Sequence, residues 1–126
     1  MPISYVLDRA THRVRTTVMG TVTVDDILNH LKAACEEQVL TYSELIDARQ
    51  AGPSQLSPQD LWLAAGQVRK TEFDRRSLGP RAVVVEDLAT FGMVRIFTTL
   101  VSDFFPMNVF RDFNEAEAWL AEHNGR

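Results

Sequence analysis

Tyr42-Ser-Glu-Leu-Ile-Asp-Ala-Arg-Gln-Ala-Gly-Pro-Ser-Gln-Leu-Ser-Pro-Gln-Asp-Leu61 is the stretch whose reading decides the fold, because it contains a strand, a loop and a helix start in 20 residues. Leu45 and Ala48 bracket Ile46 in a short apolar run broken at Asp47, which predicts a strand over about Thr41 to Ala48 with Asp47 at its C-terminal tip. Gly52 and Pro53 disfavour regular structure, so Arg49 to Leu56 reads as a loop. Ser57-Pro58-Gln59-Asp60 then has the order of a helix N-terminus: a capping hydroxyl, proline at the first helical position, and a carboxylate in the positive first turn. A strand feeding a helix through a loop is the half-unit of an α/β fold.

The pattern repeats on both sides of this stretch. Upstream, Tyr5 to Leu7 and Arg13 to Met19 read as a hairpin, and Thr23 with Asp26 opens a helix whose Ile27, Leu28, Leu31, Ala34 and Cys35 recur at helical spacing. Downstream, the second helix is expected from Pro58 to about Phe73 with Leu61, Trp62, Ala65 and Val68 inward. A turn at Ser77 to Pro80 leads to Ala82-Val-Val-Val85, a continuous β-branched run of the kind buried on both faces. A third helix over about Leu88 to Asp103 carries Met93, Ile96, Phe97, Leu100 and Phe104 on one stripe, widened by Phe91, Val94, Val101 and Phe105. Pro106 stops it. Met107 to Phe110 reads as a last strand, and Asp112 opens a final helix with Phe113, Ala116, Trp119 and Leu120 inward.

The order is therefore β-β-α-β-α-β-α-β-α, which predicts a single α/β domain over residues 1–126. Its five-stranded sheet is mainly parallel, with an antiparallel first strand. The length suits one core. With 45% hydrophobic and 24% charged residues, no disorder is indicated, and no apolar run reaches the roughly 20 residues of a membrane span. The N-terminus has no secretory pattern and the one cysteine, Cys35, can form no internal disulfide, so a cytoplasmic location is expected. A net charge of -4 argues against a nucleic-acid binder.

Gly20-x-Val-Thr-x-Asp-Asp26, the strand ending in Asp47, Phe91-Gly-Met-Val-Arg-Ile-Phe97 and Val109-Phe-Arg-Asp-Phe-Asn-Glu-Ala-Glu-Ala-Trp-Leu120 together resemble the STAS-like, or SpoIIAA-like, family. That family is related in fold to anti-sigma-factor antagonists and is compared with CRAL-TRIO lipid-binding domains. The resemblance implies a SpoIIAA-like fold and a regulatory binding role. In the antagonists a phosphorylated serine follows an aspartate at the end of the central strand. Asp47 matches that aspartate, but Ala48 and Arg49 follow it, and the serine's role is carried over to neither Ser54 nor Ser57.

Ligands of open α/β sheets bind beyond the C-terminal strand ends, where helix N-termini present free N–H groups. The candidate residues there are Asp47, Arg49, Ser54, Ser57 and Thr90, joined by Met93 and Phe97 of the broad third-helix stripe. Each has a plainer role: Ser57 as a helix cap, Asp47 as a strand-end acceptor, Met93 and Phe97 as core. Arg69, Lys70, Arg75, Arg76 and Arg81 read as a solvated basic face. His12, His30 and His123 share no metal-ligand spacing with Cys or carboxylates, Cys35 sits on an apolar face, and neither a phosphate loop nor a nucleophile elbow occurs. No metal or cofactor is called for, and a catalytic function is not expected. Two functions follow: binding of a protein partner at the strand-end edge, or carriage of a small apolar or lipid-like ligand between the third helix and the sheet. A homodimer through the third helix is a further possibility of the same apolar surface.

Overall fold

The structure, a computed structural model, describes residues 2–52, 56–70 and 78–123. Strands β1 (Ile3–Asp8) and β2 (Arg13–Gly20) form an antiparallel hairpin; α1 (Val24–Glu36), β3 (Ser43–Ala51), α2 (Pro58–Lys70), β4 (Arg81–Val84), α3 (Leu88–Leu100), β5 (Met107–Phe110) and α4 (Phe113–His123) follow. Strands β2 to β5 are mutually parallel, and the order across the sheet is β1-β2-β3-β4-β5. This is the mainly parallel five-stranded α/β architecture that the alternation predicts.

The strand order dictates the layers. Each parallel strand is added on the same side of its predecessor, so right-handed crossovers carry α1, α2 and α3 to one face of the sheet. There Leu61, Ala64, Ala65 and Val68 of α2 meet Phe97 of α3, and Val24, Leu28 and Leu31 of α1 pack against them. The opposite face would be bare without α4, whose Ala116 and Leu120 cover Leu45, Ala82 and Val84. Strand β4 is consequently buried on both sides, with every residue from Arg81 to Val85 inaccessible.

Local chemistry fixes the ends of the elements. Thr23 and Asp26 form a reciprocal capping box, with Asp26 N–H to Thr23 Oγ1 at 3.2 Å and Thr23 N–H to Asp26 Oδ2 at 2.9 Å. Ser57 and Asp60 do the same for α2, at 3.1 and 2.9 Å. Asp87 caps α3 through the N–H and hydroxyl of Thr90. Gly79 admits no side chain, since a Cβ there would overlap the carbonyl oxygens of Thr41 and Tyr42.

Several expectations are corrected. Strand β3 does not end at Asp47 but continues to Ala51, because Gln50 and Ala51 still pair with Met19 and Gly20 across a register shift. The extra residue in β3 resets the side-chain alternation, so Arg49 to Ala51 belong to the sheet rather than to the loop. The third helix closes at Leu100, three residues early, and continues as turns. Trp62, expected inside, is 70% exposed: the inner stripe of α2 is Leu61, Ala64, Ala65 and Val68, and Trp62 lies a further 100° round. Cys35 is exposed, one position beyond the buried Ala34. Arg81 is not on a solvated face but buried against Glu44. The expected residues Arg75, Arg76, Ser77 and the end of the second helix near Phe73 lie outside the described residues, as does Ser54.

Candidate functional site

A sheet whose strands succeed one another in chain order has no point where the winding reverses. It therefore lacks the crevice between diverging crossovers at which open α/β sheets usually bind ligands. The concave site here lies instead between the sheet and its three-helix layer.

The inner face of the sheet supplies its floor: Thr16 and Val18 from β2, Ile46 and Ala48 from β3, and Val83 from β4. Ile27 and His30 of α1 form one wall, while Thr90, Met93, Val94 and Phe97 of α3 form the other. The space between them is a cavity of about 190 Å³. Small side chains open it, since Ala48 and Ala51 stand where larger residues would fill the gap below α3. Gly20, Gly52 and Leu56, at the C-terminal strand edge, also line it. Gly20 adopts φ +74°, a conformation that favours glycine, and its carbonyl accepts the Gly52 N–H at 2.8 Å.

Through Thr16 and His30 the cavity lining also belongs to a buried polar cluster. Glu44 Oε2 accepts from Thr16 Oγ1 at 2.5 Å and from His30 Nε2 at 2.6 Å, while Arg81 Nε approaches Glu44 Oε1 at 3.2 Å. Arg81 also donates to the Gly79 carbonyl at 2.6 Å and lies 5.4 Å from the Phe105 ring centre. Burial opposes the charge of Glu44, but the hydrogen bond from His30, the Arg81 charge and the Thr16 hydroxyl outweigh it and hold the carboxyl below its ordinary value. Burial lowers the Arg81 pKa, with Glu44 acting in the other direction. Nothing in the sequence announced this cluster, whose members come from β2, α1, β3 and β4; a glutamate inside the apolar run of β3 was its one visible trace.

The expected site residues divide. Thr90, Met93 and Phe97 line the cavity together. Asp47 and Arg49 lie on the other side of the sheet, where Arg49 forms a bidentate pair with Asp47 at 2.9 and 2.8 Å and stacks 5.2 Å from the Phe113 ring of α4. The Arg49 side-chain hydrogen bonds are the chief reason why the Asp47 carboxyl sits below the usual carboxylate range. Ser57 is the α2 cap, apart from both groups.

Three comparisons set this arrangement among known proteins. No protein-family model matches the chain, and no curated protein is significantly similar to it. Among solved structures, an uncharacterised protein of the DUF3478 family with a SpoIIAA-like fold, from Shewanella loihica PV-4, is 16% identical. It aligns over 94% of this chain and 93% of its own with a TM-score of 0.60. An anti-sigma factor antagonist from Mycobacterium paratuberculosis is also 16% identical, over 94% of each chain, with a TM-score of 0.58. The chain thus has the SpoIIAA-like fold that its motifs implied.

Proposed function

We propose that the protein is a non-catalytic regulatory module that binds a protein partner at the edge where α2 and α3 begin. The carrying observation is the exposure of large apolar side chains there: Trp62 and Leu63 in the first turns of α2 are 70% and 58% exposed, and Leu88 opening α3 is 70% exposed. Exposed tryptophan beside other apolar side chains is the composition of an interface hot spot. That one structural neighbour is an anti-sigma factor antagonist supports regulation as the purpose of that binding.

The test is a photo-crosslinking amino acid at position 62, and as a control at Lys32, in cells of the protein's own organism. The expected result is one discrete adduct with a second protein from position 62 and none from position 32. No adduct, or an adduct only with another copy of the chain, overturns the partner reading. Trp62→Ala should leave stability within about 0.5 kcal/mol of the parent, as exposed substitutions do.

A second reading, carriage of a small apolar ligand, is favoured by the cavity itself: its lining is almost wholly apolar, with His30 and two threonines as its polar side chains.

A further inference from the structure

We propose, resting on the carrier reading, that the cavity takes a molecule of one apolar ring with a small substituent and a neutral hydroxyl, and that this hydroxyl hydrogen-bonds to Nδ1 of His30. Size sets the first part. A volume of about 190 Å³ slightly exceeds the roughly 150 Å³ of an apolar cavity known to hold benzene. The occupant is therefore a single substituted ring rather than a long acyl chain.

The polar lining sets the second part. A carboxylate only accepts, so the 2.6 Å contact with Glu44 requires the hydrogen on His30 Nε2. The other ring nitrogen, Nδ1, has no hydrogen-bond partner among the described residues, and a hydroxyl, which can both donate and accept, suits it. The ring cannot turn freely to satisfy it elsewhere: Glu44 holds one nitrogen and Tyr5 meets the ring in an edge contact at 5.5 Å between centres.

Charge excludes the alternatives. Glu44 is already matched by Arg81, and of the cluster only Thr16 and His30 belong to the cavity lining. A carboxylate ligand would bring a second negative charge into apolar surroundings beside Glu44. A hydroxyl brings a polar group without a charge.

The experiment uses 4-methylphenol and its size-matched analogue 4-fluorotoluene, which has no donor. Both are titrated into the full chain while the methyl resonances of Val18, Ile46 and Val83 are followed by NMR. Both probes are expected to shift these signals, with 4-methylphenol binding at least as tightly; an unpartnered buried hydroxyl would instead weaken it roughly ten-fold or more. In His30→Lys, which keeps a donor to Glu44 but has no second ring nitrogen, 4-methylphenol should lose roughly ten-fold while 4-fluorotoluene is unchanged. Ala48→Leu, which fills the cavity, should abolish both. If neither probe reaches these methyl groups, the carrier reading itself falls. If both bind and 4-methylphenol is the weaker by ten-fold in the parent protein, the assignment to His30 falls and the carrier reading stands. The parent comparison decides even if His30→Lys fails to fold.

Discussion

Glu44 and Arg81 form a fully buried ion pair, and a buried pair is costly to break and cheap to replace whole. Arg81→Met leaves a buried carboxylate with its cation removed and should destabilise the protein by about 3–5 kcal/mol. Glu44→Met combined with Arg81→Met should recover part of that loss, less the cost of leaving Thr16 Oγ1 and His30 Nε2 without their acceptor, measured by urea unfolding at neutral pH. The same pair sets an acid dependence. Because the folded-state pKa of Glu44 lies below its ordinary 4.5, its contribution is present above that value. It is lost as pH falls through the depressed folded value. The parent protein should therefore lose stability from about pH 5 downward, and the doubly substituted chain should lose less. An equal loss in both would show that Glu44 contributes nothing to the acid limb. At this scale the sequence was least informative. His30, Glu44 and Arg81 meet only because α1 crosses over β2 and β3, and separations of 14 and 37 residues carry no local signal. Hydrophobic periodicity weighs Arg81 as a surface cation because it sees neither Glu44 nor the Phe105 ring.

The helix starts, by contrast, were legible residue by residue, because a cap is a contact between residues three apart. Ser57 and Asp60 meet in the reciprocal bonds expected of that spacing. Ser57→Ala should cost about 1 kcal/mol and Ser57→Asp almost nothing, in thermal or urea unfolding. A large loss with aspartate would mean that the hydroxyl has a duty beyond capping α2. Strand and helix faces were harder to read. Trp62 follows Leu61 directly, and the composition of α2 does not say which of two adjacent apolar residues turns inward until α1 and α3 are in place on either side. In β3 the register shift moved the strand end from Asp47 to Ala51, and a bulge leaves no mark in a single strand's alternation when the partner is unknown. The candidate residues were split for the same reason. Thr90, Met93 and Phe97 share a helix face and came together, whereas Asp47, read as the strand's tip, and Arg49, assigned to the loop after it, both lie within β3 and face α4.

For the molecule as a whole, the fold was readable because one periodicity followed another along the entire chain and each β-branched run had a helix on either side. The layering gives a graded stability. Strand β4 is sealed between α3 and α4, and β3 beside it shares both layers over Leu45 and Ile46, while β1 is an edge strand with Val6 68% exposed. In native-state hydrogen exchange the amides of Ala82 to Val84 should be the slowest, opening only with global unfolding. Those of β1 should exchange through smaller local openings. Comparable protection of Val6 and Val83 would show that the hairpin and the centre unfold as one unit.

Strand order equal to chain order also bears on how the protein is made. Every strand pairs with the one synthesised just before it, so a chain leaving the ribosome never has to wedge a late segment between strands already joined. The exception is the far side of the sheet, which waits for the last helix. Until α4 has emerged and docked, Leu45, Ala82 and Val84 present an oily strip to the surroundings, and that interval is when a nascent chain is most open to sticking to its neighbours or to being held by a chaperone.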